Sequence, residues 1–180
     1  MSQPSRTWLG RLRARLTARG LARLIGELLV VAALLLVMER VLTRDAARGA
    51  APAVEATLTS GETFSLSALR GRPALVYFWA EWCPVCTASQ GTMDEVLADY
   101  PGVTVALQSG APQEVKAYLD RHRLRWPTVA DQAGTLAAEY GVSGVPAVFV
   151  LDRHGEVRFV TRGYTTELGL RARLWLAGQR

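Results

Sequence analysis

No cysteine lies outside Cys83-Pro84-Val85-Cys86, so no disulfide framework can staple this chain. A ring closed between Cys83 and Cys86 is too small to constrain the unfolded state appreciably. Two intervening residues do let both sulfurs meet across one helical turn, which suits a bond that opens and closes reversibly. Histidine is equally scarce: His122 sits among Arg121, Arg123 and Arg125, and His154 in an Asp-Arg-His-Gly turn. Neither offers a convincing third ligand beside the thiols, so no metal site is expected, although two thiolates alone suit a soft ion such as Cu(I). Of the 21 basic residues only Lys116 is a lysine, a compositional trait that carries no functional reading. Internal repeats are absent. So is a basic face interleaved with aromatics, and nucleic-acid binding therefore has little support.

Charge is unevenly placed. Residues 1–50 carry nine arginines against Glu27, Glu39 and Asp45, a balance of +6, whereas residues 51–180 come to −1. From Met1 to Gly26 there are six arginines and no acid, and Leu28 to Met38 is then free of charge. Three readings compete for this pattern. A membrane span needs about 20 apolar residues, and residues 24–42 approach that length if Glu27, Glu39 and Arg40 snorkel at the ends. A cleaved signal peptide also fits the short run, but an Ala-x-Ala site appears only at Ala51-Pro52-Ala53, far beyond it. An ordinary buried helix would need a larger core than this chain can supply. The expectation is a single-pass anchor, or an uncleaved signal, over 24–42, with a basic cytoplasmic segment over 1–23. Arginines before the run hold the N-terminus inside and send the remainder out. Trp8, Leu9, Leu12 and Leu16 alternate with arginines at helical spacing, so 1–23 is either an amphipathic helix on the inner leaflet or a basic tail. Residues 43–54 are small, polar and unpatterned, and read as a linker.

From residue 55 onward the pattern alternates. A hairpin around Ser60-Gly61 and one helical turn at Ser67 precede Ala74–Ala80, an apolar strand buried on both faces. A helix is expected from Pro84 to Tyr100, a strand over Val103–Leu107, and an amphipathic helix over Gln113–Arg123 with Val115, Tyr118 and Leu119 inward. A short extended piece at Trp126 and a helix over Thr135–Tyr140 follow. Strands over Pro146–Leu151 and Glu156–Thr161 and a closing helix over Thr165–Ala177 complete the domain. This order predicts an α/β sandwich with a mixed sheet over 55–180. Cys83 then caps a helix N-terminus, where unpaired N–H groups and the helix dipole favour an anion. Thiolate is the attacking species, and Cys86, one turn further, is placed to resolve a mixed disulfide. Pro84 suits the first helical turn because it has no N–H to lose. Trp82 is a candidate for apolar cover near the sulfurs, while Trp79, inside the strand, reads as packing.

The run Tyr77-Phe-Trp-Ala-Glu-Trp-Cys-Pro-Val-Cys resembles the active-site signature of the thioredoxin superfamily. Gly134-Thr-Leu-Ala-Ala-Glu-Tyr-Gly-Val-Ser-Gly-Val-Pro-Ala-Val-Phe resembles the segment entering that family's cis-proline strand. Extra residues around Pro112–Trp126 are similar to the membrane-anchored bacterial TlpA, ResA and cytochrome c maturation group. The ending from Arg162, with Cys-Pro-Val-Cys, is similar to the suppressor-for-copper-sensitivity D proteins within it.

The resemblance implies a thioredoxin-like three-layer sandwich carried by an N-terminal anchoring helix. Its activity would be that of a protein-disulfide oxidoreductase in the bacterial inner membrane, with its catalytic domain in the periplasm. Cys83 and Cys86 would be catalytic, with Trp82, Pro84, Val85, Val145 and Pro146 walling the site. The Cys83–Cys86 disulfide would be the only redox group, with no cofactor. Partners would be protein thiols and disulfides and a transmembrane electron donor of the DsbD type. Electrons would flow outward, for copper-stress protection or cytochrome c maturation; an oxidant that installs disulfides, or Cu(I) delivery, are the alternatives. The Pro-x-x-x-Thr-x-x-Cys pattern of peroxiredoxins is absent. So is the buried carboxylate that relatives place under the cysteines, since Tyr77 and Ser89 occupy the two positions where it is expected. Water, Glu81 and Tyr77 remain open as proton routes.

Overall fold

The computed structural model describes residues 23, 25–34, 37–38 and 46–179. The chain forms two compact units, Met1–Leu42 and Thr43–Arg180. In the first, the described residues are helical and leave Ile25, Leu28, Leu29, Val30, Val31 and Leu34 exposed. Among the described residues no helix is long and apolar enough to cross a membrane. The basic segment 1–23, apart from Arg23, lies outside the described residues, as do residues 24, 35–36 and 39–42 of the expected anchor.

The second unit is an α/β sandwich in three layers. Its sheet is built from β1 (Gly49–Ala50), β4 (Ala74–Trp79), β5 (Gly102–Leu107), β6 (Thr128–Asp131), β7 (Ala147–Leu151) and β8 (Glu156–Arg162), in the order β1-β8-β7-β4-β5-β6. Strand β4 runs parallel to β5 and antiparallel to β7, so the sheet is mixed. Strands β2 (Glu55–Thr57) and β3 (Thr63–Ser65) form a separate hairpin. All six residues of β4 are buried, because consecutive side chains point to opposite faces and both faces are covered. Leu75, Tyr77 and Trp79 enter one core, with helices α1 (Pro84–Asp99), α2 (Pro112–His122) and α4 (Glu167–Ala177). Val76 and Phe78 enter the other, with Ala137 of α3 (Thr135–Glu139), Tyr140 and Leu66. The predicted elements are thus present, with ends shifted by one or two residues.

The segment over 43–54 differs from a free linker. Residues 43–45 lie outside the described residues, but from Ala46 onward the chain lies on the domain. Ala46 and Val54 are buried, and β1 pairs with β8. Ala47 N–H donates to Tyr140 O (3.0 Å), Ala51 N–H to Gly155 O (3.0 Å), and Tyr140 Oη to Pro52 O (2.8 Å). The physical reason lies in the small side chains. Alanine and glycine give no apolar periodicity, yet they let a backbone lie close against the edge strand β8 and satisfy its free groups.

Candidate active site

Strand β4 ends at Trp79, and Ala80-Glu81-Trp82 turns the chain into α1. Cys83 is the N-cap of α1, with φ −97° and ψ 109°, and Pro84 takes the first helical position. The first turn of a helix has backbone donors without helical acceptors, and here the sulfur serves as one. Cys86 N–H donates to Cys83 Sγ at 3.2 Å, so the backbone itself stabilises charge on that sulfur. On its other side Cys83 Sγ–H donates to Val145 O at 3.6 Å. Both cysteines are free thiols. Cys83 is 5% exposed and Cys86 2%, so accessibility alone hardly distinguishes them.

Ionisation does. Burial pushes the Cys86 thiol up to about 12, with the neighbouring Cys83 sulfur adding to the effect, while the Ala80 backbone and the Tyr77 hydroxyl act against it. Tyr77 is 1% exposed, and burial holds its hydroxyl well above the ordinary tyrosine range, with both cysteines adding to the effect. Its oxygen lies near enough to Cys86 for each to perturb the other, yet it has no hydrogen-bond partner of good geometry. Ser89 is buried one turn beyond Cys86, and its hydroxyl donates to Val85 O at 2.8 Å. Glu81 is exposed.

The opposite wall comes from the antiparallel pairing of β4 with β7. Phe78 lies opposite Ala147, which brings the start of β7 to the end of β4 where the cysteines sit. There the Val145–Pro146 peptide bond is cis, with Val145 half-buried and Pro146 buried. Trp82 (58% exposed) and Val85 (43%) stand out beside the sulfurs, and Pro84 is also exposed. All seven candidate site residues therefore gather at one end of the sheet, where β4 finishes and β7 begins. Trp79, by contrast, is buried, and its Nε1–H donates to Thr104 Oγ1 at 3.1 Å.

Several supporting groups escaped the sequence reading. Trp82 Nε1–H donates to Gln108 O (3.2 Å), and Glu81 N–H to Ser109 Oγ (3.0 Å), so the loop after β5 holds the turn before Cys83. Gln108 does this from a left-handed backbone, φ 46°. Arg162, at the end of β8, donates to Ser143 Oγ and to Gly141 O (2.9 Å), pinning the loop that leads into Val145. Gly163 N–H donates to Pro146 O at 2.8 Å. The only sequence signal for them was position, since residues just past the carboxyl ends of parallel strands commonly line α/β sites.

Among the described residues no three His, Cys, Asp or Glu side chains cluster to hold a metal ion. His122 stacks on Tyr118 at 4.3 Å between ring centroids, and the backbone of His154 is tied into its turn by Asp152.

The AhpC/TSA family model matches residues 47–160. A thioredoxin-like protein of Haemophilus influenzae is 34% identical over 119 residues, covering 65% of this chain and 71% of that protein. The thiol-disulfide oxidoreductase ResA of Halalkalibacterium halodurans is 30% identical over 130 residues, covering 69% of this chain and 74% of ResA. Among solved structures, a thioredoxin-family thiol:disulfide interchange protein from Chlorobium tepidum matches with a TM-score of 0.63 at 25% identity. That match covers 74% of this chain and 98% of the other.

Proposed function

The chain belongs to the AhpC/TSA family and is a thiol-disulfide oxidoreductase of thioredoxin-like type, and from that premise we propose that it reduces protein disulfides outside the cytoplasm from a membrane anchor. In this reading Cys83 is the nucleophile. Its thiolate attacks a substrate disulfide, so that a Cys83–substrate bond forms and one substrate sulfur leaves as thiolate. The Cys86 thiolate then attacks Cys83 Sγ, closing Cys83–Cys86 and releasing the second substrate sulfur. Two electrons pass to the substrate, and a membrane-embedded dithiol donor of the DsbD type returns the pair to its reduced state. Trp82 and Val85 offer an apolar rim for the substrate chain, and Val145 and Pro146 face it from the turn that enters β7.

One observation carries the exchange chemistry. Cys83 caps the N-terminus of α1 and its sulfur accepts the Cys86 N–H at 3.2 Å, a place where an attacking thiolate is stabilised. The reducing direction is the one that the resemblance to the anchored TlpA and ResA group suggests. The outward address is supported by the arginines before the apolar run and by the exposed apolar side chains of residues 25–34. Copper-stressed proteins or apocytochromes are the substrates that the resemblance suggests.

A glutathione redox titration of the full-length chain tests the direction. A potential near that of thioredoxin, about −270 mV, is expected, and one near about −120 mV would overturn it. Roles within the pair are tested by trapping. Cys86→Ser should hold substrates on Cys83, and Cys83→Ser should hold none; equal adducts from both variants would refute the assignment.

A further inference from the structure

A buried hydroxyl without a partner costs stability, and Phe would fill the same space without that cost. Tyr77 carries such a hydroxyl, 1% exposed and unpaired, in the cluster that contains Cys83 and Cys86. We propose that Tyr77 is the hydrogen-bond donor that stabilises the Cys86 thiolate while the Cys83–Cys86 disulfide forms. This deepens the exchange reaction described above and rests on it.

The alternatives nearby are otherwise engaged. The Ser89 hydroxyl is committed to Val85 O, and Thr104 Oγ1 lies between Trp79 Nε1 and Thr128 Oγ1. Glu81 points to solvent. Trp126 packs on the Tyr77 ring in a T-shaped contact, 5.9 Å between centroids, and both side chains are buried. The titratable groups acting on the hydroxyl are Cys83 and Cys86 of α1 and Tyr118 of α2. Its in-register neighbours on β5 and β7, Thr104 and Val148, carry no charge. Because burial holds the Tyr77 hydroxyl protonated far above neutral pH, it acts as a donor and not as a base.

The step balances without a further reactant. In the mixed disulfide Cys86 loses its proton, and its thiolate attacks Cys83 Sγ. The Cys83–Cys86 bond forms as the Cys83–substrate bond breaks. The leaving sulfur takes the electron pair and then the proton, and Tyr77 keeps its own proton throughout. The Tyr77 hydroxyl thus eases formation of the thiolate without accepting the proton.

The test uses the reduced full-length chain and the aromatic disulfide 5,5′-dithiobis(2-nitrobenzoate), which releases one coloured thiolate on attack by Cys83 and a second on attack by Cys86. Tyr77→Phe should leave the first phase unchanged and slow the second about tenfold, the effect of losing one hydrogen bond to a charged group. The pH midpoint of the second phase should rise. Equilibrium stability should be equal or greater, which separates this role from a packing defect. An unchanged second phase overturns the proposal. Should Tyr77→Phe fail to fold, 3-fluorotyrosine at position 77, a stronger donor, should accelerate the second phase, and no acceleration overturns the proposal. A wild-type chain lacking a second phase would instead refute the exchange reaction itself.

Discussion

Replacing Val54 by alanine should destabilise the protein by about 2 kcal/mol, although Val54 stands in a stretch composed like a spacer. Val54 is 0% exposed and packs in the core that holds Phe78, Tyr140 and Phe149. The substitution removes two buried carbons at about 0.8 kcal/mol each, and the residual cavity adds a further fraction of a kcal/mol. With an unfolding entropy of roughly 0.3 kcal/mol/K for a domain of this size, Tm falls by about 7 °C. Tyr140→Phe tests the same docking by another route. It removes the bond from Tyr140 Oη to Pro52 O, worth about 1 kcal/mol. Both variants loosen one segment, so together they should cost less than their sum. Calorimetry and urea unfolding of the three variants provide the assay. If the midpoints of Val54→Ala and wild type coincide, the segment is a solvated spacer and the reasoning fails.

Alkaline stability should depend on redox state. The Cys86 thiol is raised from its ordinary value near 9 to about 12, so below pH 9 folded and unfolded chains both keep the proton. Between pH 9 and 12 only the unfolded chain gives it up, and the reduced protein loses stability as pH rises. The oxidised protein has no such thiol. Urea midpoints of the two forms should therefore diverge above pH 9, and parallel curves would contradict the burial of Cys86. Gly91 lies exposed within α1, and a Cβ there would meet nothing within 4 Å. Gly91→Ala should raise stability by about 0.5–1 kcal/mol. At Gly102 a Cβ would stand 2.9 Å from Leu75 O and 2.8 Å from Leu97 Cδ2. Gly102→Ala should cost about 1–3 kcal/mol, and melts showing equal effects at the two glycines would refute the packing of β5 on β4.

Much of the second unit was legible in the chain. A fully apolar run is read as a strand covered on both faces, and β4 delivers alternate residues to two cores. Proline at the first helical position marked the start of α1. Spacing also placed Val115, Tyr118 and Leu119 inward on α2, where they are buried. Residues 46–54 were illegible for a physical reason: small side chains carry little transfer free energy, so nothing in their order announces that β8 and Tyr140 will bind them. The left-handed turn at Gln108 was equally hidden, because a glutamine gives no sign of a positive φ.

What the sequence determined by itself is local: two thiols at i and i+3, behind a strand and at the head of a helix that supplies donors to the first sulfur. Only the tertiary structure decided what surrounds them. Val145 O reaches Cys83 across 62 residues, and Pro52 O receives the Tyr140 hydroxyl across 88. Tyr77 acquires its bearing on Cys86 only because α1 folds back over β4 and Trp126 closes the space. Such contacts depend on strand order and register. Those are properties of the whole sheet, and no local pattern of residues encodes them.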